Sequence, residues 1–299
     1  MAANAINCNA TRFGTGLPDC LADVKYSIGF FAVKKTWSVA NTTTIDKAFI
    51  VDNIQNGNFV PFLQAFSFEP TTPEATTEES PNGVMSVVRN GLPTFNYLYE
   101  RTIQFQKIAA SYNSYSQYDI IMAFDNNRLF LADDGTNFKG FNGGMLNTNT
   151  FQFNDGSTAG KTPISLQLID NAQFNNGSVV ALDFNINSDI EGVFDVLLTD
   201  GVSATGGDVT VKAVFKANPA VFVSGLGVDQ FSLVIDGSRE AVTAVSYNDA
   251  TGVYTLTPTS TTTGGQSVVV ELYDTVNALS IAKLDDQLYD GISDAIITA

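Results

Sequence analysis

Short apolar runs follow one another along this chain, separated by polar punctuation rich in Gly, Asn and Asp, and this pattern predicts strands. Residues 25–33 (KYSIGFFAV) and 48–51 mix aromatic and β-branched residues in strand-length runs. Residues 59–68 (FVPFLQAFSF) are apolar, but Pro61 makes them an edge strand or a bent one. Further short strands are predicted at 85–88, 94–99, 120–124 and 129–131, the last two joined by the turn Asp125-Asn126-Asn127-Arg128. Asp133-Asp134-Gly135 and Asn154-Asp155-Gly156 are further turn signals. Residues 164–169 (ISLQLI) alternate and read as a half-buried strand.

One segment changes period. In TIQFQKIAASY, about 102–112, the residues Phe105, Ile108, Ala109 and Tyr112 recur at helical spacing, which predicts one helix packed on a sheet. The stretch PTTPEATTEESP, 70–81, has three prolines, three glutamates and no large apolar residue. It cannot contribute to a core, so the region 69–83 reads as a long exposed loop, either a surface excursion or a segment that orders against a neighbouring subunit.

A second domain is expected over 201–299, after a first over 1–200. Asp200-Gly201 and Thr205-Gly206-Gly207 supply a glycine-rich junction. Strands are then predicted at 209–215, 231–235, 241–247, 253–257 and 267–273, with turn residues at Asn218-Pro219, Asp236-Gly237, Asn248-Asp249 and Gly264-Gly265. Five short strands at that spacing point to an immunoglobulin-like β-sandwich. The Cys…Trp…Cys set of antibody domains is missing, since the single tryptophan is Trp37. In the tail, Ile281, Leu284, Leu288, Ile292 and Ile296 suit a helix while Tyr289-Asp290-Gly291 suits a turn between strands, and the pattern leaves both open. The fold class is therefore mainly β: a β-sandwich or barrel with one flanking helix and a long loop, followed by the immunoglobulin-like sandwich.

Composition narrows the chemistry. There is no histidine in 299 residues, which removes Ser-His-Asp triads, Cys-His dyads and histidine-ligated metals. Charged residues are 15% of the chain against ~25% in ordinary soluble proteins, and hydrophobic residues 44%, so the surface is covered by Thr, Asn, Ser and Gly or by another subunit. The net charge is −16; residues 1–200 hold 20 acids and 11 bases, residues 201–299 hold 11 acids and 4 bases, so neither part offers a phosphate-binding face. Cys8 and Cys20 are too few for a disulfide scaffold and are either bonded to each other or small buried apolar residues. No secretory signal and no membrane-length apolar run is expected.

The remaining candidates for chemistry have simpler readings. Glu78-Glu79, Asp133-Asp134 and Asp285-Asp286 are carboxylate pairs of the type glycosidases use, but adjacency in sequence is not convergence in a cleft. Asp133-Asp134-Gly135 lacks the spacing of a calcium loop and is expected to form a turn. Gly143-Gly144 and Gly264-Gly265 are not followed by the Lys-Ser/Thr of a phosphate loop. Tyr112, Tyr115 and Tyr118 could stack on sugars or pack the helix end against the sheet. No catalytic, cofactor-binding or metal-binding residue is assigned, no cofactor is expected, and the chain is expected not to be an enzyme.

The outline assembled so far resembles the tail-tube proteins of tailed bacteriophages: a β domain, one amphipathic helix, a long polar loop and a trailing immunoglobulin-like domain. Residues 91–156 (GLPTFNYLYERTIQFQKIAASY…FQFNDG) and 189–196 (DIEGVFDV) are similar in texture to virion proteins of phages of Bacteroidetes-type hosts. The resemblance implies a homo-oligomer of stacked, hexameric rings, contacts with other virion proteins and a lumen through which DNA passes without specific binding. It implies no membrane partner and a place in the phage tail after synthesis in the host cytoplasm. A head-decoration or head-tail completion protein, and a carbohydrate-binding adhesin or fibre module, are the alternatives.

Overall fold

The computed structural model describes residues 5–6, 24–157 and 159–299; Cys8 and Cys20 lie outside them. Half of the chain is strand and 11% helical, so the protein is mainly β, built from curled, sandwich-like sheets. It divides into two compact units, 1–50 with 57–190, and 51–56 with 191–299.

The first unit is built on one large antiparallel sheet that curls around an aromatic core. Its strands run in the spatial order Gly177–Ala181, Arg128–Asp133, Tyr118–Phe124, Phe141–Thr148, Thr162–Leu168, Thr94–Tyr99, Ser67–Pro70. Tyr118–Phe124 is the hub: along one edge it pairs first with Phe141–Thr148 and then with Arg128–Asp133, and along the other with Ser27–Lys34. Ser27–Lys34 is buried on both faces, which explains its near-continuous apolar run. Phe30 and Ala32 face the core with Tyr97, Tyr99 and Phe141, while Phe31 packs on Phe59 and Phe59 on Trp37.

The sheet is drawn round on itself by polar groups placed inside. Ser27 Oγ lies 2.9 Å from the Tyr97 hydroxyl, Tyr99 donates its hydroxyl to the Phe62 carbonyl at 2.8 Å, and the Ala65 N–H donates to the Ile28 carbonyl. Among the described residues Phe59–Phe62 pairs only with Ser27–Lys34, as Pro61 requires of an edge, and the chain then bends at Gln64, whose φ is +62°. The predicted helix is present as Ile103–Ser111, but only Ala109 on it is buried; Ile108, expected on the packed face, is 53% exposed.

A second helix, Lys47–Gln55, replaces the strand expected at 48–51. Asp46 accepts a hydrogen bond from the Phe49 N–H, an N-cap that β-branched residues in the run obscured, and Ile50, Val51 and Ile54 then form a buried stripe.

In the second unit the strands run Val193–Ser203, Val209–Phe215, Val253–Pro258, Ser238–Asn248, Phe231–Ile235, Ser267–Leu272 and Ile296–Ile297. Ser238–Asn248 pairs at its start with Phe231–Ile235 and from Val242 onward with Val253–Pro258, and so carries the chain from one layer of a sandwich to the other. Between the layers lie Val211, Ala213, Phe231, Leu233, Tyr254, Leu256 and Val270, all 0% exposed.

The two units divide at 190–191, and the boundary expected at 200–201 lies inside the Val193–Ser203 strand, where Asp200-Gly201 forms a β-bulge: Thr199 opposes Lys212 while Val202 opposes Thr210, and Asp200 takes φ +53°. The tail is strand, not helix. Ala282–Leu284 and Gln287–Asp290 form a hairpin turning at Asp285 (φ +53°), and Ile296–Ile297 pairs with Ser267–Leu272.

Candidate functional site

The region expected to be a long exposed loop over 69–83 is exposed, and it is partly one limb of a hairpin arm. Among the described residues, Thr76–Glu79 and Met85–Arg89 pair only with each other, in a sheet of two strands, and every residue of both is exposed. The turn between them follows from Pro81-Asn82-Gly83: proline suits its first corner, and Gly83 takes φ +77°. The Ser80 N–H and hydroxyl both donate to the Val84 carbonyl, closing it.

The base of the arm is fixed to the body. The Thr71 N–H donates to the Thr94 carbonyl, and Asn96 Nδ2 donates to Thr71 Oγ1. Gly91 crosses Pro73 so closely that a Cβ there would lie 1.7 Å from the Pro73 carbonyl oxygen. Beyond this base the arm displays Val84, Met85, Val87 and Val88, each about 60% exposed (61, 65, 59 and 61%). Alternation puts Met85 and Val87 on one face, opposite Glu79 and Thr77. A two-stranded hairpin is marginal in water by itself, and one that spends four aliphatic side chains on solvent lacks the burial that stabilises strands.

The sequence marked 85–88 as a strand but gave no reason to place it in solvent. The usable signal was its neighbour: a strand whose pairing partner is TTEE, flanked by prolines, has no apolar face to lay on a core.

The other candidate residues are accounted for locally. Asp133 Oδ1 accepts from the Gly135 N–H and from Asn41; Asp134 accepts from Thr136 and Asn137 N–H and from Lys139 at 2.5 Å. The Lys139 hydrogen bond, with help from those N–H groups, holds the Asp134 carboxyl down at about 2. Both carboxylates are thus turn formers. Glu78-Glu79 sits on the arm, and Asp285-Asp286 in the tail hairpin, both exposed. Gly143 lies against the Tyr118 carbonyl at a bulge between Gly143 and Met145, a close backbone approach rather than a phosphate loop. The tyrosines split: Tyr112 packs edge-on against Phe62 and Tyr118, while Tyr115 alone is 82% exposed. Among the described residues no cluster of three or more metal-capable side chains occurs, and no helix is long and apolar enough to cross a membrane.

One polar cleft of about 410 Å³ lies in the first unit, lined by Lys35, Trp37, Asp119, Asp133, Lys139 and Gln173 among others. Several of its polar groups are already partnered: Lys139 with Asp134, Gln173 with Asn142, and Lys35 with Ser116 beside the cleft. Asp119 differs. It is 5% exposed and its Oδ1 has no hydrogen-bond partner, and burial pushes its carboxyl above the usual range, against the pull of Lys35 and the Gly143 N–H. That oxygen is enclosed by protein.

No family model, curated protein or solved structure matches the chain.

Proposed function

We propose that the chain is a virion structural subunit, a tail-tube protein of a tailed bacteriophage, whose copies join through the hairpin arm into stacked rings. The observation that carries this reading is the arm: an ordered, fully exposed hairpin presenting Val84, Met85, Val87 and Val88, anchored at its base by Thr71 and Thr94. The low charge content suits a molecule whose surface is shared with neighbours, and the net charge of −16 suits a bore that repels phosphate and lets duplex DNA pass. In this reading the subunit conducts DNA and meets other virion proteins at the tube ends; it performs no catalysis.

Electron microscopy and sedimentation of the purified chain test it. Hollow stacks of rings are expected from the intact chain, and loss of assembly when residues 74–90 are replaced by a short Gly-Ser bridge. A chain that stays monomeric at high concentration and is missing from virions overturns the reading.

A further inference from the structure

The second unit carries its own uncovered groove, in which aliphatic side chains alternate with polar and backbone groups. It follows the Val193–Ser203 strand where the Asp200-Gly201 bulge bends it, and the C-terminal segment forms the opposite wall. This side of the strand is paired at Leu198, which bridges Ser293, and at Ser203, which accepts from the Ala299 N–H. Between those points, over 199–202, no strand pairs with it among the described residues. The Ile296 side chain forms the floor, seated on Gly201, where a Cβ would lie 2.3 Å from Ile296 Cδ1. Leu197, Val202, Ile292 and Ile297 stand around the opening, 39, 60, 61 and 63% exposed, and the groove measures about 490 Å³. Its charged lining residues are Asp200 and Asp294, with no Lys or Arg.

We propose that this groove receives the Met85–Arg89 strand of the arm of a second copy. The inference rests on the self-assembly reading above and adds the surface that the arm meets. Two properties of the chain select this occupant. The strand MSVVR supplies aliphatic side chains at one end and Arg89 at the other, with no acid, which complements the exposed Leu197, Val202, Ile292 and Ile297 and the two carboxylates of the groove. The strand's outer edge is also the arm's only edge free of acids, since Glu78 and Glu79 lie on its hairpin partner. Docking by that edge turns the glutamates away from Asp200 and Asp294. An arm on one copy and a groove on the next make a heterologous contact, which closes into a ring or continues as a filament.

The test uses two full-length variants at exposed positions: Val87→Asp on the arm and Val202→Asp in the groove. Sedimentation velocity compares wild type, each variant alone, and an equal mixture of the two. Wild type assembles. Each variant alone associates at least about tenfold more weakly. The mixture halts at a dimer, because the groove of the arm-defective chain accepts the intact arm of the groove-defective chain, and no second contact remains. A wild type that is monomeric overturns both this inference and the reading beneath it. If wild type assembles and Val202→Asp assembles equally well, or if both variants are monomeric and the mixture forms no dimer, the groove is not the arm's partner and the self-assembly reading stands. Undiminished assembly of Val87→Asp removes the arm as the joint.

Discussion

Asp119 pairs with the Phe141–Thr148 strand in the middle of the first unit's sheet, and it shows how a single charge weakens a well-packed wall. Its Oδ1 is buried without a partner, and burial raises its carboxyl above the ordinary range. A group raised in the folded state contributes stability below its ordinary titration range, and that contribution is lost as pH rises through the raised value. Asp119→Asn removes the buried charge. Thermal unfolding should show the variant more stable than wild type at pH 7, by about 1 kcal/mol or more, with the gain vanishing near pH 3. An equal gain at both values would point to packing instead. Tyr97 and Tyr99 give the high-pH counterpart. Burial holds both hydroxyls well above the usual tyrosine range, so the folded state keeps protons that the unfolded chain releases, and stability should fall as pH climbs past about 10. Tyr99→Phe strips the hydrogen bond to the Phe62 carbonyl and should cost about 1 kcal/mol at pH 7, read from the denaturant midpoint.

At the scale of elements, the arm depends on its base. Gly91 passes the Pro73 carbonyl where no side chain fits, and Thr71 pairs with Thr94 just beside it. Gly91→Ala should push the two limbs apart and lower self-association, while the unfolding temperature changes little, because no residue of the arm's two strands is buried. Sedimentation and calorimetry on the same sample check both halves of that statement; a collapse in unfolding temperature would mean that the arm's base supports the core. The elements also show where sequence patterns carry structure. Ile164 to Leu168 alternates, and the strand Thr162–Leu168 is buried at every second residue. Turn chemistry was legible as well, since Asp236-Gly237 takes two positive φ values in a two-residue hairpin. The same chemistry misled at Asp200-Gly201, because a left-handed residue serves a bulge as readily as a linker. Lys47–Gln55 was hidden because its apolar stripe is β-branched and its evidence for helix is one cap, Asp46. The arm was half legible. Met85–Arg89 has strand composition, but exposure is a property of what fails to cover a strand, and that information is held in distant residues.

On the scale of the whole molecule, two forces act on any assembly and oppose each other. Each copy carries −16, so bringing copies together raises their mutual repulsion. The surfaces proposed to meet, Met85 and Val87 on the arm and Val202 and Ile297 at the groove, are aliphatic and bring only a rim of charge. Salt separates these contributions. The Debye length is about 30 Å at 0.01 M and about 8 Å at 0.15 M, so added salt removes repulsion between copies and leaves apolar burial nearly untouched. Light scattering across that range should therefore show assembly growing stronger with salt, together with a shorter lag. Contacts dominated by ion pairs would respond in the opposite direction, since screening weakens the attraction that holds them. The contact through Arg89 is a small test inside the larger one: Arg89→Gln should lower affinity by roughly two- to fivefold at low salt and by less at 0.15 M, as expected for one exposed pair at the edge of an apolar joint. A chain whose assembly weakens with salt, and whose Arg89 dominates the affinity, would be held by its charges, and the aliphatic arm would need a different role.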